Sequence, residues 1–395
     1  MNHLMNPLES PLKNPVPQPL RVLFLGGSGH IGQRWMALQA RQGPGPRAIE
    51  AFSASRQAQP EQPRHLRLDV RDAPQLRRAL QGMDAVVNGT AGIQVALQLA
   101  GVKKDDEVIT QALTFVATAN AIAHNNAHPI FLDVDLDTMG LSPTAVENFL
   151  LEFGEIREEG CYNKKTGRKI AACLPMHTFG FPIHLDELLL VCTNWKIPVI
   201  EDAAESLGSE YKGKPTGSFG KLGVFSFNGN KIVTSGGGGA IVTNDVALGG
   251  KGKHLTTTAK VPHPYEYVHD EVAFNYRMPN LNAALACAQL EQLQLFLENK
   301  RNLAHEYAVF FGANGIQFRT ETPSTKANYW IMCVALENKA ERELFLKTTN
   351  AAKVMTRPIW QLMFRLPMYA HCQKDSQSNA LYLEERIVNI PSSVR

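Results

Sequence analysis

Asp202 ends the apolar run Ile197-Pro198-Val199-Ile200, within Glu201-Asp202-Ala203-Ala204-Glu205, and Lys231 follows twenty-nine residues later. A carboxylate at the carboxyl end of a buried strand stands where open α/β sheets bind ligands. Buried alone it is costly, so it calls for a cationic partner, and a pyridinium nitrogen would serve. Lys231 comes after the strand-like Val224-Phe225-Ser226-Phe227 and before the glycine run Gly236 to Gly239, where backbone can approach a ligand closely. Lysine amines form Schiff bases with aldehydes when their surroundings lower the amine's proton affinity. Two features could bind phosphate: Gly89-Thr90-Ala91-Gly92 opening a helix, whose N–H groups and positive dipole end favour an anion, and the hydroxyl of Ser226. Phe115, in TFVATANA at a strand-to-helix turn, offers an aromatic face for a cofactor ring. Singly, each has an ordinary structural reading as a cap, a surface lysine or a core residue. The order and spacing of all five argue for one site.

The elements that must position these residues follow a βαβ rhythm. Strand-like EVIT, PIFLDVD, IAACLP and IPVIEDA alternate with helices, which implies a mostly parallel sheet with its ligand edge at the strand ends. Ser142 before Pro143 reads as N-cap and first-turn residue of a helix reaching about Phe153. Residues 154 to 170 read as a polar hairpin or long loop, and a long helical stretch from about Met278 leads into a C-terminal α+β region. Gly249, Gly250 and Gly252 weaken the helix expected after GAIVTND by about 1 kcal/mol each relative to alanine.

With these motifs in place, residues 88 to 395 resemble the DegT-type sugar aminotransferases, and among them the LegC-like enzymes. The resemblance is carried by NGTAGIQVALQLAGV, DEVITQALTFVATANAI, MHTFGFP, IPVIEDAAESLGS, GSFGKLGVFSFNGNK, GGGGAIVTND, EVAFNYRMPNLNAALACAQLEQL and RIVNIPSS. It implies the type I fold of pyridoxal phosphate (PLP) enzymes like aspartate aminotransferase, with a mostly parallel sheet and a small C-terminal α+β domain. It also implies Lys231 as the Schiff-base lysine, Asp202 as partner of the pyridine nitrogen, Phe115 as the stacking ring and Glu205 near the phenolic oxygen. Gly89, Thr90, Ala91 and Ser226 would hold the phosphate, with Asn228 close by. His177 would lie beside the site as a catalytic and substrate-facing residue. Asn275 and Arg277 would reach across from the second subunit of a homodimer, Arg277 towards substrate. The implied chemistry is a ping-pong transfer from glutamate to C4 of a nucleotide-activated 4-keto sugar.

The front of the chain reads differently. Residues 1 to 88 contain ten Arg and one Lys, the remainder ten Arg and nineteen Lys, which suggests two joined histories with a seam near Val87-Asn88-Gly89. A proline-rich leader to about residue 19 is expected to be disordered. From residue 20 to 88, RVLFLGGSGHIGQ resembles the start of NAD(P)-binding epimerases and reductases, a partial Rossmann-like segment. Gly26, Gly27, Gly29 and Gly32 supply its glycine turn, and Arg56, with no acidic residue ending the second strand, suits NADP better than NAD. An NADP-dependent reductase would need the Tyr-x-x-x-Lys pair of those families, which occurs nowhere in the chain. An inactive or regulatory fusion is the other alternative. The expected division is therefore 1–19 leader, 20–88 Rossmann-like segment, 89–260 large PLP-binding domain and 261–395 small domain.

Composition excludes other classes. With 44% hydrophobic and 19% charged residues and a net charge of +3, the chain has the balance of a globular enzyme and no basic stripe for nucleic acid. The six cysteines lie far apart with no metal-ligand spacing, the N-terminus has no signal-like apolar core, and no apolar run reaches a membrane-spanning length. No metal, no membrane and a cytoplasmic location are the expectations.

Overall fold

The computed structural model describes residues 88–394 in full, and of the earlier chain only the backbone of three short strands. Of these, Leu20–Val22 runs parallel to Ile49–Ala51, which pairs antiparallel with Leu66–Leu68. The glycine turn at Gly26, Gly27, Gly29 and Gly32, Arg56, and the expected leader lie outside the described residues.

The main sheet joins two ladders. In one, His128–Leu132, Glu107–Gln111 and Lys169–Leu174 run parallel. In the other, Ile200–Asp202 runs parallel to Leu222–Ser226, and Gly239–Val242 closes the edge antiparallel. Bridges Cys173 to Val199 and Met176 to Asp202 connect the two. The hairpin Gly154–Arg157 and Gly160–Asn163, expected from the polar stretch 154 to 170, occupies the other end of the same free edge of Lys169–Leu174. The sheet is thus mostly parallel, and the parallel strands aim their carboxyl ends the same way. Their central residues are buried and mostly apolar, as both faces of such a sheet require, with Glu201 and Thr110 as buried polar members.

Local signals set the helices. Ser142 caps Pro143–Phe153 by accepting from the Ala145 N–H, and Asp245 caps Val246–Thr256 by accepting from Ala247 and Leu248, so the three glycines there do not prevent the helix. The long helical stretch is two helices, Asn280–Leu290 and Leu293–Ala313, separated by a turn at Glu291 and Gln292. A four-stranded antiparallel sheet follows, in the order Gln317–Phe318, Met332–Ala335, Ile387–Ile390, Arg357–Pro358. One apolar core runs from Phe131, Phe179 and Phe225 of the main sheet region to Leu290, Trp330 and Ile387, so the C-terminal part packs directly on the ligand edge. Among the described residues no helix is long and apolar enough to cross a membrane.

Candidate active site

Asp202 lies at the carboxyl end of its strand and is only 2% exposed. Its Oδ2 accepts from the Thr118 hydroxyl at 2.8 Å and its Oδ1 from the Ala204 N–H at 3.2 Å. Burial pushes its carboxyl above the ordinary range, and Thr118, Ala204 and the positive charge of Lys231 oppose that rise. Two neutral donors do not balance a desolvated carboxylate, so the site is built for a further cationic N–H. Thr118 was not legible as a site residue, although its place in the first turn of Val116–His124, three residues after Phe115, aims it at the strand ends.

Glu205 and Lys231 form the second part. The lysine Nζ lies 3.4 Å from Glu205 Oε1, with the Lys231 side chain 10% exposed. Glu205 Oε2 accepts from the Phe179 N–H at 2.9 Å. That N–H is presented by a residue with φ 56°, a left-handed backbone that phenylalanine adopts only where its surroundings impose it. Burial raises the Glu205 carboxyl to about 7, against the lowering effects of Lys231 and the Phe179 N–H. The linkage sign follows: the folded protein binds a proton that the unfolded chain releases near 4.5, so this group's contribution to stability is lost as pH rises from about 4.5 through 7. The cofactor-free Glu205→Gln variant should therefore gain on the wild type across that window, by up to about 3 kcal/mol at pH 8. Denaturant melts at pH 5 and pH 8 check this; a pH-independent difference would contradict it.

The phosphate candidates converge. Asn88 caps the helix Gly89–Ala100, its side chain accepting from the Ala91 N–H at 2.8 Å, so that amide is already engaged. A Cβ on Gly89 would lie 2.8 Å from Ser226 Cβ and 3.0 Å from its hydroxyl oxygen. Helix N-terminus and Ser226 therefore share one cup that only glycine leaves open. Gly89→Val should fill it, weakening PLP affinity at least about tenfold and costing on the order of 1–3 kcal/mol in stability; equilibrium PLP binding reads the first and a thermal melt the second. Asn228 is exposed on the turn after Ser226 and its N–H lies 3.4 Å from the Ser226 hydroxyl. Phe115 is 48% exposed at the mouth, its ring 6.3 Å from that of Trp360.

His177 sits behind these groups. It is fully buried; its Nε2 lies 3.1 Å from Glu201 Oε2 and its Nδ1 accepts weakly from the Ile183 N–H at 3.4 Å. Both ring nitrogens face protein partners, so its place is beneath the cluster and not at its open face. Glu201, which sequence reasoning passed over, also accepts from the N–H groups of Gly217, Phe219 and Gly220, each at 2.7 Å, and pins the turn into the Leu222–Ser226 strand. Asn275 and Arg277 are exposed, Asn275 bridging to Thr257.

Together these residues fit pyridoxal phosphate: a desolvated carboxylate for the ring nitrogen, an anion cup, an exposed aromatic face and a buried amine between them. Comparison with known proteins agrees. The profile of the DegT/DnrJ/EryC1/StrS aminotransferase family matches residues 82–395. EpsN of Bacillus subtilis (strain 168), provisionally assigned as a pyridoxal phosphate-dependent aminotransferase, is 36% identical over 80% of each chain. GDP-perosamine synthase of Escherichia coli O157:H7 is 33% identical over 79% of this chain and 81% of its own. The crystal structure of a DegT DnrJ EryC1 StrS aminotransferase from Brucella abortus, 23% identical, shares the fold with a TM-score of 0.70 over 78% of this chain and 80% of its own. The chain belongs to the DegT/DnrJ/EryC1/StrS aminotransferase family and is a pyridoxal phosphate-dependent enzyme.

Proposed function

We propose that this enzyme takes an amino group from glutamate and passes it to C4 of a nucleotide-linked 4-keto-6-deoxy sugar, of the UDP-linked N-acetylhexosamine type. This is LegC-like chemistry in surface-glycan or legionaminic-type nonulosonic acid biosynthesis, carried out in the cytoplasm. The observation that carries the reading is the convergence of Lys231, Glu205 and Asp202 at the carboxyl edge of the sheet. Bound pyridoxal phosphate supplies the electron sink. Asp202 would hold a proton on the ring nitrogen, and Glu205 would face the phenolic oxygen. Phe115 would stack on the ring. Gly89, Thr90 and Ser226 would hold the phosphate, with Ala91 beside it, its N–H given to Asn88, and Asn228 at the rim. Lys231 would hold the cofactor and, when free, move the proton at the substrate carbon. His177 supports Asp202 from behind through Glu201 and the adjoining strand.

Asn275 and Arg277, exposed in one chain, would complete the neighbouring site in a homodimer, Arg277 towards substrate. The division into a large domain over 89–260 and a small one over 261–395 is supported by the separate C-terminal sheet. Residues 20–88 are read as a Rossmann-like segment on the glycine pattern of the sequence, and the family match begins within its last residues, at 82.

A GDP-linked keto sugar is the second reading, favoured by the likeness to GDP-perosamine synthases of Escherichia coli and Vibrio cholerae, 33% and 31% identical. The test is to load the enzyme with glutamate and offer UDP- or GDP-linked 4-keto-6-deoxy hexoses. Amino sugar formed with at least about tenfold higher kcat/KM from the UDP compound supports the first reading. The reverse preference establishes the second, and no product from either overturns both.

A further inference from the structure

Lys231 leaves an exposed turn, Asn228 to Asn230, and carries a long, flexible side chain. Two groups from distant parts of the chain hold it. On one side is Glu205; on the other is the ring of Trp330, with the lysine Nζ 3.7 Å from its centroid, where the ring quadrupole attracts a cation. Trp330 is itself tightly held. Its Nε1–H donates to the carbonyl of Asn230, the residue just before Lys231, at 2.7 Å, and its backbone N–H donates to Asn328 Oδ1 at 2.8 Å. The Asn328 amide group donates in turn to the carbonyls of Glu205 and Leu207 at 2.9 and 3.0 Å. The segment Asn328 to Trp330 therefore fixes both the ring over the amine and the backbone of the carboxylate beside it. Lys300 grips the segment from behind through the carbonyls of Tyr329 and Trp330.

We propose that Trp330 is a positioning residue for Lys231: its ring, tethered to the Asn230 carbonyl, caps the amine and confines it against Glu205. The amine then stays aimed at the reacting carbon whenever it is not bonded to the cofactor. This rests on the assignment of Lys231 as the cofactor lysine.

The test labels cofactor-free protein with limiting acetic anhydride and follows acetylation lysine by lysine by mass spectrometry. In W330L, Lys231 should be acetylated roughly three- to tenfold faster, because the ring that covers the amine is gone. W330F keeps a ring face but loses the tether, and should fall between. Lys300 is the control for the segment, and its labelling should not change. In the loaded enzyme, kcat should fall in W330L and recover largely in W330F, with the glutamate KM within about twofold of wild type. Unchanged labelling of Lys231 in W330L overturns the proposal, as does a parallel rise at Lys300, which marks a loosened fold. If W330L does not fold, W330F decides alone: faster labelling of Lys231 supports the tether, and an unchanged rate refutes it. If borohydride fixes the cofactor on another lysine, the assignment of Lys231 fails, and the labelling still decides whether Trp330 holds this amine.

Discussion

Lys231→Ala should abolish amino transfer, lowering turnover by on the order of a thousandfold or more, because the same amine serves as attachment point and proton carrier. The fold should survive, since the amine pairs with Glu205 and the Trp330 ring and stands next to an exposed turn. Lys231→Arg separates its two properties. Arginine keeps a positive charge beside Glu205 but cannot form the bond to the cofactor or give up its proton, so it should be as inactive as alanine. The titration of Glu205 should nevertheless stay closer to wild type in the arginine variant, because the neighbouring positive charge is the largest influence holding that carboxyl down. Spectral response to glutamate measures the first effect, and the pH dependence of unfolding the second. Wild-type turnover in either variant would contradict the role given to Lys231.

Asp202→Asn should show opposite signs in activity and stability. The amide preserves shape and can still accept from Thr118, but it cannot keep a proton on the ring nitrogen, and turnover should fall on the order of 10²- to 10⁴-fold. In the cofactor-free protein the same change should stabilise. Burial raises the Asp202 carboxyl above its ordinary 3.8, so the wild-type group's contribution to stability declines as pH rises from that value through its folded one. The asparagine variant has no such decline. Its advantage should be absent at low pH, grow with pH, and reverse once saturating pyridoxal phosphate stabilises the wild type by binding. Thermal melts with and without cofactor at pH 7 check the reversal; an asparagine variant equally stabilised by the cofactor would argue against the pairing of Asp202 with the ring nitrogen. A site that costs stability when empty is the trade expected of functional residues.

The chemistry was legible where residue type and strand position coincided. Asp202 after a buried apolar run, Lys231 after a second strand and Gly89 at a helix start each follow from local pattern, and the parallel sheet brings their ends to one edge. Side-chain direction was not legible. His177 and Asp202 are neighbours in space, yet the histidine ring turns to Glu201 on the far side of the strand, because successive strand residues face opposite ways. Thr118 and Glu201 were missed for the complementary reason: a threonine in a helix and the first of two acidic residues carry no signal until their partners are placed. Trp330 lies about a hundred residues from Lys231 in sequence, and only the packing of the C-terminal sheet on the ligand edge brings it over the amine. The break within the long helical stretch was not legible for a local reason, since Glu291 and Gln292, between the two helices, include neither glycine nor proline to mark it.

Identification of the lysine that carries the cofactor bears most directly on this enzyme's chemistry. Holoprotein should be reduced with borohydride, digested, and the fixed pyridoxyl group located by mass spectrometry. The group is expected on Lys231, in the peptide containing Phe227-Asn228-Gly229-Asn230-Lys231. Its recovery on any other lysine, or a protein that takes up no pyridoxal phosphate at all, would contradict the site described.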